Sequence, residues 1–197
     1  LSDYDKKDSE LIYYSSVEEA ILNSPLNTEN EEFSVPEDFL NHVDEILHIW
    51  NGKQYDTIFY RAGSDNDPVQ GFVMARCKKQ VEEATVQYAF MNATPVTTKA
   101  DSILISDITE LIHSSLKLSD FQQDLNPNYP DTRFVFGYAH DKEIYSLEVE
   151  GQKPDGVIEI NVYDRTMYLW YYDDLKSDKR KQSKLFSRYA RVIFQIV

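Results

Sequence analysis

The side chains able to do chemistry in this sequence are few and scattered. Four histidines, His42, His48, His113 and His140, are candidate metal ligands or general bases, and only His42 and His48 stand near each other, with Asp44 and Glu45 between them. Their spacing matches neither the i, i+4 step of a helix nor the i, i+2 step of a strand, so they read as ordinary surface histidines rather than a metal grip. Asp65, Asn66 and Asp67 in SDNDP offer oxygens of the kind calcium prefers. The alternating ligands and closing Glu of an EF-hand loop are missing, and a turn held by its own Asp and Asn side chains is the expected form. Asp173 and Asp174 form a carboxylate pair suited in principle to acid–base work. Adjacent strand residues point to opposite faces, so the pair is expected to end a strand rather than to converge on a substrate.

The single cysteine, Cys77, excludes an intrachain disulfide and any multi-cysteine metal site. It lies in the strand-like run GFVMARCKKQ, where a buried thiol is the default. There is no glycine-rich phosphate loop, no G-x-S-x-G elbow and no zinc-protease helix. No catalytic residue, metal or cofactor is therefore assigned, and a non-enzymatic role is expected. The aromatic content is high, with 14 Tyr, 10 Phe and 2 Trp. Tyrosine and tryptophan join an apolar ring to a polar tip, which suits carbohydrate-facing and protein-facing surfaces. The first reading of these rings is core and sheet surface. If a patch does bind a ligand or partner, Tyr168, Trp170 and Tyr172 are the candidates.

Lys and Arg number 20 against 34 Asp and Glu, a net charge of −14. Such a chain is repelled by nucleic acid and by anionic membrane surfaces. The balance is uneven, because Lys176, Lys179, Arg180, Lys181, Lys184, Arg188 and Arg191 cluster near the C-terminus. A charge run of this kind is read as solvated or as facing the protein's own acidic surface. No apolar run approaches the 18 or so residues that a spanning helix needs. The chain opens LSDYDKKDSE, without Met, and residues 1–12 read as a flexible leader. That opening fits a start just after a signal peptide or a lipid-anchor site upstream of Leu1, and equally a trimmed tag or an internal boundary.

The elements that must carry these residues follow from periodicity. SSVEEAILNS places Ser15 or Ser16 at an N-cap, acidic residues in the first turn, and Val17, Ala20 and Ile21 on one face, so a short helix is expected over 17–23. Pro25 and Pro36 punctuate a loop. Two β-favouring runs, 45–50 and 55–61, flank Asn51-Gly52 and predict a hairpin. GFVMARCKKQ and ATVQYAFMNA extend it into an antiparallel meander. Ile108, Leu111 and Ile112 belong to a helical stripe over 105–115 with Ser106 at its cap, and NPNYPD closes it. Four strand-like runs follow, RFVFGYA, EIYSLEVE, GVIEINVY and TMYLWYY, with Asp164-Arg165 as the last connection. RVIFQIV could add one more strand. The expected fold is α+β, mainly antiparallel sheet with one or two short helices packed on it. The expected organisation is a leader over 1–12, a helix and meander over 13–126 and a β-rich half over 127–197, unless the two halves form one continuous domain.

The stretch RFVFGYAHDKEIYSLEVEGQKPDGVIEINVYDRTMYLWYYDDL resembles the C-terminal half of small exported proteins and lipoproteins of Gram-positive bacteria. The matching positions are Gly137, Ile144, Leu147, Val149, Gly151, Pro154, Leu169, Trp170, Tyr171, Tyr172 and Leu175. YSSVEEAILNS is similar to the helix that often begins the mature region of such proteins, and together the matches cover about a third of the chain. The basic tail departs from the pattern. The resemblance implies an extracytoplasmic α+β protein, membrane-anchored or secreted, and no particular activity; taken with the acidic charge and the missing catalytic motifs, it leads to the expectation of a non-enzymatic binding or accessory protein of the cell envelope, acting on a protein or cell-wall component. The alternative is an acidic immunity or inhibitor protein that neutralises a basic partner.

Overall fold

The computed structural model describes residues 10–24, 41–63, 69–99, 105–116, 119–126, 131–149, 151–176 and 193–196. The chain divides into two compact units, Leu1–Ser115 and Leu116–Val197. The fold is α+β, dominated by antiparallel sheet. The calcium-like SDNDP turn and all of the basic cluster except Lys176 lie outside the described residues.

In the first unit a helix, α1 (Val17–Leu22), precedes four strands, β1 (Glu45–Asn51), β2 (Tyr55–Ala62), β3 (Val69–Glu82) and β4 (Thr85–Lys99), paired in the order β1-β2-β3-β4. Ser16 caps α1, its hydroxyl accepting from the Glu19 backbone N–H at 3.2 Å, while the Glu19 carboxylate accepts from the Ser15 N–H at 3.1 Å. These bonds satisfy donors that a helix start leaves open. The apolar stripe Val17, Ala20 and Ile21 then packs on one sheet face against Ile58, Tyr60, Val73, Ala75 and Cys77. Trp50, Phe59, Phe72 and Met74 are buried too. Burial on both faces explains why β2 lacks the apolar–polar alternation of a half-exposed strand.

One turn of this unit differs from the sequence expectation. β1 and β2 do pair, but Asn51 and Asp56 are the last partners and the loop is closed by the Gly52 N–H donating to the Tyr55 carbonyl at 2.9 Å. Asn51-Gly52 therefore begins a longer loop rather than a two-residue turn, and Lys79 on β3 steadies it by reaching both the Gly52 carbonyl and Asp56. The two-residue hairpin turn of this unit is instead Glu83-Ala84, both at positive φ, +47° and +69°. A helix, α2 (Ile105–Leu116), buries Ile108, Leu111, Ile112 and Leu116. Ser106 falls inside its first turn and not at its cap.

The second unit opens with a helix that the sequence reading missed, α3 (Ser119–Leu125), followed by β5 (Arg133–Ala139), β6 (Gly156–Val162), β7 (Arg165–Leu175) and β8 (Ile193–Ile196) in the order β6-β7-β5-β8. EIYSLEVE, expected as a strand, contributes Glu143–Ser146 to a 3-10 helix over Lys142–Ser146, and Val149 then makes an isolated bridge with Gln152. Asp141 caps the helix by accepting from the Glu143 N–H at 2.9 Å, and Ile144, Leu147 and Val149 turn inward onto the sheet. Spacing by three places Ile144 and Leu147 on one side of a 3-10 turn, which is why a strand period fails here. The β6–β7 turn is Tyr163-Asp164, one residue earlier than expected, with Tyr163 at φ +53°.

Candidate functional site

Tyr168, Trp170 and Tyr172, the three rings singled out for binding, lie together on one face of β7 as strand alternation requires. That face is interior: the residues are 3, 0 and 2% exposed. They pack with Val135, Ala139 and Leu175 of the sheet and with Ile144, Leu147 and Val149 of the covering segment. Trp170 meets Tyr172 edge-on at 6.1 Å, and the Tyr172 hydroxyl donates to the Gln152 carbonyl at 3.0 Å. A ligand would reach these rings only by displacing residues 142–149. The opposite face of β7 carries Tyr171, stacked on Phe134 at 6.1 Å, with Phe121 of α3 edge-on to Phe134 at 5.3 Å. Tyr171 also lies across Gly156, where an added Cβ would come within 2.4 Å of the phenol oxygen.

Asp173 and Asp174 sit inside β7 and not beyond its end. The β5–β7 register slips between Arg133 and Val135, so strict alternation fails beside these residues. The Asp155 carboxylate accepts from the Asp173 backbone N–H at 2.7 Å, and Asp174 accepts from the Asn126 side-chain amide at 2.8 Å. Burial, reinforced by the charges of Asp155 and Asp174, pushes the Asp173 carboxyl up to about 6. This is a perturbed carboxyl at a strand bulge, beside the carboxylates of Asp155 and Asp174.

In the first unit Lys79 approaches Asp56 at 2.8 Å, and both side chains are largely buried. Cys77 is fully buried, and burial, with Asp56 and Glu18 nearby, pushes its thiol up to about 12. A thiol held protonated is a poor nucleophile, so this cysteine serves packing. His48 rests edge-on against Trp50 at 4.6 Å, and burial lowers its pKa. Among the described residues no group of three or more His, Cys, Asp or Glu side chains could hold a metal ion.

What the first unit does present is a concavity of about 510 Å³ between α1 and the chain leading into β1, lined by Glu18, Glu19, Leu22, His42, Asp44 and Ile46, with Asn41 and Val43 beside them. Asn41 fixes its wall by donating from its side-chain amide to the carbonyls of Ile21 at 3.1 Å and Ser24 at 2.7 Å. Leu22 stands 60% exposed beside the opening. Glu18, Glu19 and Asp44 make the rim acidic, although Arg61, 3.2 Å from both Asp44 and Glu45, offsets part of that charge. Sequence reasoning did not find this site. Its legible signal was Leu22, an apolar residue off the Val17, Ala20 and Ile21 stripe.

No protein-family model, curated protein or solved structure matches this chain. No helix among the described residues is long and apolar enough to cross a membrane.

Proposed function

We propose that this protein is a non-enzymatic binding or accessory protein of a Gram-positive cell envelope, exported and held there by a lipid anchor or released, that engages a protein or cell-wall component. The observation that carries the binding reading is the open, acidic-rimmed concavity beside α1, with Leu22 exposed at its mouth. The resemblance of the β5–β7 region to exported proteins supplies the compartment. The perturbed groups described above support the non-enzymatic part, since Cys77 is enclosed in the core and Asp173 stands at a strand bulge in the other unit. Neither lines the concavity.

Fractionation of the native full-length gene product, with an intact mass for the mature chain, tests this. A membrane-associated chain heavier than the polypeptide by a diacylglyceryl group supports the envelope assignment. A cytosolic chain with an unprocessed start sinks it and leaves the second reading, an acidic immunity or inhibitor protein. That reading is favoured by the carboxylate rim and the net charge of −14. It expects association with a basic protein at a rate that falls steeply with added salt.

A further inference from the structure

Asn51-Gly52 is the one Asn-Gly step in the chain, and the fold sets it at an exposed corner. Asn51 ends β1 and stands opposite the buried Asp56 in the pair of the β1–β2 ladder nearest the loop. An asparagine followed by glycine is a reactive combination. The side-chain carbonyl carbon is an electrophile within reach of the next backbone nitrogen, and glycine, lacking a Cβ, lets that nitrogen swing close to it. The structure holds the two reacting groups apart. The Gly52 nitrogen is engaged, donating its N–H to the Tyr55 carbonyl at 2.9 Å. The Asn51 amide is drawn the other way, donating to the Ile49 carbonyl at 3.3 Å. Lys79 of β3 then closes the loop. Its side chain reaches the Gly52 carbonyl and lies 2.8 Å from Asp56, and its backbone N–H donates to the Gln54 carbonyl at 2.8 Å.

We propose that Asn51-Gly52 is a self-modification site, deamidating through a succinimide, that the Lys79 side chain keeps closed. When the loop opens, the Gly52 nitrogen gives its proton to solvent hydroxide and attacks Asn51 Cγ. The N–Cγ bond forms, the Cγ–Nδ2 bond breaks, and the departing nitrogen takes a proton from water to leave as ammonia. Water then opens the ring at either carbonyl, leaving aspartate or isoaspartate at position 51. One water enters and one ammonia departs, with no change of oxidation state. Aspartate sets a second carboxylate opposite Asp56 and in competition for Lys79, and like charges directly opposite across two strands repel. Isoaspartate adds a methylene to the main chain and breaks the ladder at that pair. Either product makes the closed loop harder to regain, so a chain that has opened is marked irreversibly. The inference stands apart from the envelope reading and from the concavity beside α1.

The test is mass spectrometry of the full chain kept for several weeks at neutral pH and physiological temperature, with fragment ions locating each amide-to-acid mass gain. The folded chain is expected to convert at Asn51 at least about tenfold more slowly than the chain unfolded in urea, because the reaction follows the open population of the loop. Lys79→Met keeps the apolar stem and removes the ammonium. Conversion in it is expected to rise about tenfold over the native chain, the weight of one charge-assisted hydrogen bond. Where that variant fails to fold, Asp56→Asn/Lys79→Met, which leaves no lone buried charge, is expected to show the same rise. Equal rates in the folded and urea-unfolded native chain would overturn the protection. A variant folded by circular dichroism yet converting at the native rate would overturn the role of Lys79. An unfolded chain that converts other asparagines and spares Asn51 would overturn the site itself.

Discussion

The indole of Trp170 is fully enclosed, with Tyr172 edge-on to it and the 142–149 segment above. Truncation there removes a large apolar volume that its neighbours cannot refill. Trp170→Ala is expected to cost about 3–5 kcal/mol in urea denaturation, so any binding it loses would reflect unfolding. Asp173 makes a prediction of the opposite sign. Its folded pKa, about 6, stands above the unfolded carboxylate value of roughly 3.9, so the folded chain holds the proton more tightly. Its contribution to stability is therefore greatest below pH 4 and declines as the pH rises through 6. Asp173→Asn is expected to stabilise the protein by about 1 kcal/mol at pH 7, allowing for solvent screening of a partly exposed group. It should also flatten the stability profile between about pH 4 and 6. An unchanged profile would show that Asp173 is ionised normally.

The elements follow their local codes where one period dominates. The Ser16 cap and the Val17, Ala20, Ile21 stripe were readable because a helix of six residues needs only those signals. The hairpin turns were not. Asn51-Gly52 carried the strongest turn signal in the chain, yet the bonds from Gly52 to Tyr55 and from Lys79 to Gly52 make a longer loop. Meanwhile Glu83-Ala84, with no glycine or asparagine, turns in two residues because the long β3–β4 register enforces it. Replacing the strained pair by Glu83→Asn/Ala84→Gly is expected to raise stability by about 1–2 kcal/mol, read as a shift of the denaturation midpoint with unchanged slope. No gain would mean that the strain is relieved in solution.

At the scale of the whole molecule, 34 acidic side chains confront 20 basic ones. Self-repulsion of a net charge of −14 opposes the compact state, and salt screens it. Thermal unfolding at neutral pH is therefore expected to shift upward by a few degrees as salt is raised from about 0.02 to 0.3 M. A flat response would show that the acidic groups are already compensated by local cations, as Asp44 and Glu45 are by Arg61.

From composition and period alone came the sheet-dominated α+β class, α1, α2, the meander, and the alternation that sorts Leu169 and Tyr171 from Tyr168, Trp170 and Tyr172. These are properties of a strand or helix with its nearest neighbours, and residue order encodes them directly. Only the tertiary structure decided which face of β7 is covered, because that depends on a segment some twenty residues away in sequence folding back as a 3-10 helix in place of a strand. It likewise decided that α1 and the approach to β1 enclose a concavity. Burial belongs to the assembled fold, and a sequence specifies it only through contacts between residues that are distant along the chain.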